Sequence, residues 1–190
     1  MKNIILFGKP GAGKGTQAAL LRDAFQLIHI STGDLFRYNM SNNTSLGALA
    51  KSYMDKGDLV PDEVTIKMLE AEVDANPDVG GFIFDGFPRT AAQAEALDVF
   101  LEDKNMSIRA TIALEVDEEV LVSRLLNRGK DSGRSDDQDE GKIRNRFAEY
   151  NKKTAPLIDY YKTQNKFYGI GGEGTVAEIF EQLTSLLHSL

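Results

Sequence analysis

The sequence predicts an α/β fold in which a five-stranded parallel sheet is flanked by helices. Three observations predict it: short apolar runs recur along the chain, helical patterns separate them, and a glycine-rich turn follows the first run. The predicted strands cover residues 2–7, 27–30, 81–85, 110–116 and 166–170. Because strands and helices alternate, the connections should be right-handed and helices should cover both faces of the sheet. A chain of 190 residues suits a single domain of this kind.

Helical periodicity fills most of the intervals between the strands. The predicted helices cover residues 14–25, 62–73, 90–101, 117–126, 139–164 with a break at Pro156, and 175–187. Thr90 and Asp117 stand where a side-chain oxygen can accept a hydrogen bond from the free amides of a helix N-terminus. A capping residue therefore marks the start of two of these helices.

Two segments do not fit the alternation. Residues 31–76 carry helical patterns with no strand between them, which predicts a helical insertion beside the sheet. Residues 129–141 contain almost no apolar side chain, so we expect a mobile loop that packs against nothing. Without ligand this loop should stay open, because ordering it costs roughly 1–2 kcal/mol of backbone entropy per residue. Both segments are candidates for lids.

Composition narrows the classes of protein and partner. Hydrophobic residues make up 42% and charged residues 27% of the chain, near the usual range of globular domains. The absence of cysteine excludes disulfides and thiolate zinc sites and suits a reducing compartment, so we expect a cytoplasmic protein. No apolar stretch has the length of a signal peptide core or of a membrane helix. A net charge of −7 argues against nucleic acid or an anionic membrane as the main partner.

The strongest motif is the glycine-rich run GKPGAGKGT at residues 8–16, between the first strand and the first helix. Its glycines let backbone amides approach phosphate oxygens, the helix N-terminus adds its dipole, and Lys14 supplies a positive charge. Gly15 occupies the position where Ser or Thr normally ligates magnesium, and Thr16 follows one residue later. We therefore expect magnesium to be held mainly by phosphates and water, with no direct protein ligand.

Two further motifs follow the ends of predicted strands. Asp85 ends the third strand and precedes a turn that leads to Arg89; its carboxylate can anchor the water shell of a cation, or it can simply cap the turn. Ser31 follows the second strand and is suited to cap the helix that carries Arg37. The two histidines, His29 and His188, lie in or near apolar segments, so we expect no catalytic role for them.

Taken together, these segments resemble the adenylate kinases of the short-lid form. The strings GKPGAGKGTQ, STGDLFR, KGDLVPDE, DGFPRT and SGRSDD match that family in order and spacing, from residue 2 to the last helix. The resemblance implies a P-loop NTPase core at 1–30, 61–128 and 142–190, an AMP-binding insertion at 31–60 and a lid at 129–141. It also implies a magnesium-dependent reaction of ATP with AMP that yields two ADP, carried out by a monomer.

The resemblance also implies roles for individual residues. ATP would be bound by Gly11, Ala12, Gly13, Lys14, Gly15, Thr16, Arg128 and Gly174. AMP would be bound by Thr32, Arg37, Asp58, Leu59, Val60, Gly86, Phe87, Pro88, Arg89, Gln93, Arg134 and Arg146. Catalysis would rest on Lys14, Asp85 (through water), Arg89, Arg128, Arg134 and Arg146. No zinc is implied, because the lid is short and lacks cysteine.

Two departures from the family pattern and three alternatives accompany this interpretation. Lys9 stands where glycine is common, which is tolerated if its side chain points to solvent. The interval from Arg134 to Arg146 is one residue longer than in short-lid relatives.

The first alternative is a uridylate/cytidylate kinase, which shares the fold, but Thr32 with Gln93 suits adenine. A non-catalytic nucleotide sensor is a further alternative. A GTPase is disfavoured, because no Asn-Lys-x-Asp guanine motif occurs.

Overall fold

Five parallel strands form the centre of the molecule, in the order β2-β3-β1-β4-β5. The computed structural model describes residues 1–190. The strands are β1 (Asn3–Phe7), β2 (Ile28–Ser31), β3 (Phe82–Asp85), β4 (Ile108–Glu115) and β5 (Phe167–Gly171). The predicted fold class is confirmed, and each predicted strand is present within two residues of its expected bounds.

Nine α-helices surround the sheet. They are α1 (Lys14–Phe25), α2 (Thr32–Ser41), α3 (Ser45–Met54), α4 (Asp62–Asp74), α5 (Ala91–Asp103), α6 (Glu118–Ser132), α7 (Glu140–Glu149), α8 (Leu157–Thr163) and α9 (Val176–Ser189). The predicted N-cap at Thr90 is confirmed, since its side chain accepts from the Gln93 amide. None of the helices combines the length and the apolar character needed to cross a membrane.

The sheet is buried on both faces because side chains alternate along each strand. In β1, Ile4 and Leu6 join an apolar cluster with α1, α6 and α9, whereas Ile5 and Phe7 join a second cluster with α4, α5 and α8. The sheet therefore holds its strand ends rigidly, which is what a site at those ends requires.

The segment between β2 and β3 is helical, as predicted, and consists of α2, α3 and α4. It has a small apolar cluster of its own around Phe36, Ala50 and Val60. Helices α2 and α3 touch closely: a Cβ atom at Gly47 would lie 2.2 Å from the carbonyl oxygen of Asn39. Glycine at this position therefore allows the two helices to form a hairpin.

The predicted long helix at 139–164 is divided by a π-helical turn, Tyr150–Thr154. The amide of Ala155 donates to the carbonyl of Tyr150 at 2.8 Å, a bond that spans five residues. Pro156 has no amide hydrogen, so the regular bonding pattern cannot continue through it. The interruption expected at Pro156 is thus present and begins one turn earlier.

The expectation that residues 129–141 form a loop that packs against nothing is wrong. Helix α6 continues to Ser132, a short 3-10 helix covers Ser135–Asp137, and Asp137 is fully buried. Gly129 lies inside α6, where a Cβ atom would be 2.7 Å from the carbonyl oxygen of Asp137. The glycine therefore marks a close contact rather than a flexible loop, and ion pairs replace the apolar anchor that this segment lacks.

Candidate functional site

A cavity of about 770 Å³ lies at the carboxyl edge of the sheet, where β1, β2 and β3 end. Strand β1 pairs with β3 on one side and with β4 on the other. The connections that leave the ends of these strands therefore run in opposite directions on the two sides of β1. In open parallel sheets a crevice at this point is the usual ligand site. The glycine loop, the strand ends and helices α6 and α7 all contribute to its wall.

The glycine loop (residues 8–16) connects β1 to α1. Gly8, Gly11 and Gly13 have φ angles of 142°, 87° and 93°, which residues with a side chain rarely adopt. No side chain caps the first turn of α1 at Gly13. Uncapped amides and the helix dipole at this end favour an anion. The loop geometry fits the predicted binding of phosphates.

The ammonium group of Lys14 is held by the glycine loop itself. It donates to the carbonyl oxygens of Gly8 at 2.8 Å and of Lys9 at 3.3 Å. Burial lowers the pKa of Lys14 to about 8; the carboxylate of Asp85 opposes this shift, and the charge of Arg89 adds to it. A phosphate in the cavity would favour the charged ammonium group, since an opposite charge nearby stabilises it.

Asp85 lies at the end of β3 and lines the cavity, as predicted. The Nε2 atom of His29, on neighbouring β2, is 3.4 Å from an Asp85 carboxylate oxygen. Burial pushes the pKa of Asp85 upward, but the neighbouring His29 and the charge of Lys14 together hold it below its ordinary value. Asp85 is therefore ionised at neutral pH. His29 also lines the cavity, which its apolar neighbours in the sequence do not indicate, and the expectation that it has no catalytic role stays a prediction.

All five arginines singled out from the sequence line the same cavity: Arg37, Arg89, Arg128, Arg134 and Arg146. Arg89 donates through Nε to the carbonyl oxygen of Gly86 at 2.7 Å. Burial, together with the charge of Arg146, lowers the pKa of Arg89 to about 10, so it is still protonated at neutral pH. The chain thus brings several cations together in a protein with a negative net charge.

Buried carboxylates hold two of these arginines in place. Asp137 accepts from Arg128 at 2.6 and 3.0 Å and from Arg146 at 2.7 Å, and Asp136 lies 3.1 Å from Arg146. Burial raises the pKa of Asp137, but the hydrogen bonds from Arg128 and Arg146 outweigh it, so that the pKa lies below its ordinary value. The guanidinium groups are therefore oriented without a ligand, and these pairs join residues 129–141 to α6 and α7.

A second, narrower cavity of about 40 Å³ adjoins the first on the side of α2, α3 and α4. Of the residues that the resemblance assigns to AMP, it is lined by Thr32, Asp58, Leu59, Val60, Gly86, Arg89 and Gln93. The Thr32 hydroxyl donates to the carbonyl oxygen of Gly86 at 2.9 Å, which joins the start of α2 to the turn after β3. Of the five other AMP residues, Arg37, Pro88, Arg134 and Arg146 line the larger cavity, and Phe87 lines neither.

Three predicted site residues have no side chain or backbone in either cavity. Ala12 belongs to the glycine loop but is buried, Phe87 packs in the hydrophobic core, and Gly174 lies exposed in the turn before α9. The structure therefore leaves these three outside the site as it stands. The other predicted residues line one cavity or both.

Arg124 and Thr154 are among the residues of this region that sequence reasoning missed. Arg124 lines the larger cavity and donates to the carbonyl oxygen of Gly172 at 3.2 Å. Its position four residues before Arg128, on the same face of α6, is a signal that could have found it. Thr154, in the π-helical turn, is buried and donates to the carbonyl oxygen of Arg89 at 3.0 Å. No local pattern marks Thr154, since its role depends on where the π-helical turn packs.

Lys9 does not meet the condition of a side chain that points freely into solvent. Its side chain is 22% exposed, forms an ion pair with Glu118 at the start of α6, and lies over the ring of Phe147. The residue that replaces the common glycine thus ties the glycine loop to α6 and α7.

Carboxylates and histidines do not form a metal cage anywhere in the chain: no group of three or more such side chains is placed to bind an ion. Asp85 and Thr16 both line the larger cavity, and each carries a side-chain oxygen. This donor set suits a hard cation that brings other ligands with it.

Comparisons with known proteins agree with this geometry. The family model described as adenylate kinase matches residues 6–166. The adenylate kinases of Flavobacterium psychrophilum and Flavobacterium johnsoniae are 63% and 62% identical to the chain over 190 residues, which covers all of both chains in each case. The adenylate kinase of Bacteroides fragilis is 46% identical over the same length. None of these findings favours a uridylate or cytidylate kinase. The chain belongs to the adenylate kinase family and is a nucleoside monophosphate kinase.

Proposed function

We propose that this chain transfers the terminal phosphoryl group of ATP to AMP, reversibly and with magnesium, to give two molecules of ADP. The observation that carries the proposal is the convergence of Lys14 and six arginines on one cavity that joins the glycine loop to the narrow second cavity. A phosphoryl group in transfer carries spread negative charge and requires donors in fixed positions more than a covalent partner.

The two nucleotides would occupy opposite sides of this cavity. We assign ATP to the glycine loop and α6, where uncapped amides, Lys14 and Arg128 can bind its phosphates. We assign AMP to the side of α2 to α4, with its base at the second cavity beside Gln93 and its phosphate near Arg37 and Arg89. A volume of about 40 Å³ is little more than that of one water molecule, so the walls of this cavity would have to move apart to admit the base. The segments 31–60 and 129–141 would then close over AMP and ATP respectively.

The transfer needs no proton acceptor from the protein. A phosphate oxygen of AMP attacks the γ phosphorus of ATP; the bond from that phosphorus to the β–γ bridging oxygen breaks, and its electron pair leaves with ADP. The AMP phosphate is largely ionised at neutral pH, so it can attack directly. Lys14 and the arginines would stabilise the charge as it spreads over the transferred group, and burial of the reacting atoms would exclude water as a competing acceptor.

Magnesium would be held mainly by nucleotide phosphates and water in this site. Asp85 is ionised, and Gly15 offers no hydroxyl, so the protein would contribute through water on Asp85. The ion would neutralise phosphate charge that lies beyond the reach of the arginines.

We also expect a cytoplasmic monomer without nucleic-acid or membrane partners, because the net charge is −7 and the chain has no cysteine.

The test is a coupled assay of the purified chain with ATP, magnesium and each of AMP, CMP and UMP. We expect AMP to be preferred in kcat/KM by at least about a hundredfold, because a site that hydrogen-bonds one base leaves polar groups unpaired with another. Lys14→Met should nearly abolish turnover without changing the circular dichroism spectrum, and Lys130→Met, an exposed control on α6, should not. Equal rates with UMP, or full activity of Lys14→Met, would refute the proposal.

A further inference from the structure

We infer that Asp62 determines base specificity without touching the nucleotide, by fixing the orientation of the Gln93 carboxamide. The inference deepens the proposed function and rests on it, since it assumes that the base of AMP lies beside Gln93. Asp62 begins α4 and does not line the second cavity, whereas Gln93 does. Asp62 is thus a positioning residue.

The Gln93 carboxamide is held at both ends. Gln93 is only 2% exposed; its Nε2 donates to Asp62 at 2.8 Å, and its Oε1 accepts from the backbone amide of Arg89 at 2.8 Å. The second carboxylate oxygen of Asp62 accepts from the Thr90 hydroxyl at 2.9 Å. Asp62 is therefore itself oriented by a residue that caps the helix carrying Gln93.

These partners allow one orientation of the amide only. A carboxylate accepts hydrogen bonds and a backbone amide donates them, so a flipped Gln93 would place its oxygen against Asp62 and its NH₂ against the Arg89 amide. Both polar groups would then be buried without partners, which is strongly unfavourable. The carboxamide is thus locked, and it keeps one N–H and one oxygen lone pair free for a ligand.

A locked amide distinguishes bases by the order of their donors and acceptors. Adenine offers an amino donor on its ring carbon and an acceptor at the adjacent ring nitrogen, whereas uracil offers an acceptor on the carbon and a donor at the nitrogen. Cytosine offers the same order as adenine and differs mainly in size. Asp62 should therefore matter for the choice of AMP over UMP, and much less for the choice of AMP over CMP.

The experiment compares Asp62→Asn with the parent and with Glu63→Gln, a matched control in the same turn of α4 whose side chain is exposed. The Asn amide can turn to suit either orientation of Gln93, so the lock is loosened on one side. We expect the AMP over UMP preference in kcat/KM to fall by roughly tenfold or more, through a higher KM for AMP and a lower KM for UMP. The AMP over CMP preference and the kcat with AMP should change by less than about threefold.

Gln93→Leu, measured in parallel, separates this inference from the proposed function. If Gln93→Leu erodes the AMP preference but Asp62→Asn leaves it within about threefold of the parent, only the role of Asp62 is refuted. If Gln93→Leu leaves the preference unchanged, both the placement of the base and the role of Asp62 fail. Should Asp62→Asn fold poorly by thermal melting, Asp62→Ser provides a second variant suited to a helix start, and Asp62→Glu should restore the preference if a carboxylate is what matters.

Discussion

Binding of ATP should draw a proton onto Lys14, and the extent of this uptake should rise with pH. The pKa of Lys14 is lowered to about 8, chiefly by burial, and the phosphates of a bound nucleotide would raise it again. From a pKa of about 8, roughly a quarter of the free protein lacks this proton at pH 7.5, about half at pH 8 and about nine-tenths at pH 9. The uptake per bound nucleotide should follow these fractions.

The same equilibrium predicts weaker binding at high pH. Only the protonated fraction binds without gaining a proton, so the apparent Kd should rise roughly eightfold between pH 7.5 and 9. The nucleotide phosphate is already ionised over this range, and Arg89, with a pKa of about 10, stays mostly protonated. The effect of pH on the stability of the ligand-free protein has the opposite sign. Between pH 8 and 10.5, unfolding lets Lys14 bind a proton. The free energy of unfolding should therefore rise with pH over this range, compared with that of Lys14→Met.

Isothermal titration calorimetry with a non-hydrolysable ATP analogue, in buffers of different ionisation enthalpy, measures the proton uptake directly. The uptake should vanish in Lys14→Met and persist in the exposed control Lys130→Met. Because the Asp85 carboxylate raises the pKa of Lys14, Asp85→Asn should move the midpoint to lower pH. A pH-independent uptake, or the same profile in Lys14→Met, would show that this ammonium group is not the one that meets the phosphates.

Further predictions concern the segment at residues 129–141. Arg134→Ala and Arg146→Ala should lower kcat by roughly a thousandfold or more with smaller changes in KM, whereas Lys130→Ala should change kcat by less than about twofold. If steady-state kinetics found kcat of both arginine variants within about threefold of the parent, the role given to these cations would be contradicted. Asp137→Asn should lower Tm by roughly 5–10 °C in calorimetry, because it removes the charge that pairs with two arginines in a buried position; an unchanged Tm would mean that the pairs add nothing. Amides of residues 129–141 should already exchange slowly without nucleotide, since α6 and a 3-10 helix include part of the segment; exchange at the rate of an unfolded peptide would support the open loop expected from composition.

The strands, most helices and the position of the site could be predicted from the chain alone. Apolar runs bounded by glycine or polar residues mark buried strands wherever they occur, so β1 to β5 were predicted within two residues. The glycine loop depends on residues adjacent in sequence, and its function follows from their backbone freedom and from Lys14. The arginines around it were predicted by the resemblance, and they do line one cavity.

Other features depend on contacts between residues far apart in the sequence. The order of residues 129–141 comes from Asp137 pairing with Arg128 and Arg146, and the place of His29 beside Asp85 comes from the pairing of β2 with β3. Composition records only that residues 129–141 are polar, which describes a solvated loop and a network of buried ion pairs equally well.

The difference between the features that the sequence predicts and those that depend on tertiary packing has a physical basis. Helix and strand signals arise from backbone preferences and from the repeat of apolar side chains, which neighbouring residues supply. The direction in which a polar side chain finds its partner depends on which elements pack together, and the same Asp can cap a helix, remain in water or lock a glutamine. Asp62 reads in the sequence as an acidic residue at a helix start, and only the packing of α4 against α5 brings it to Gln93, 31 positions away.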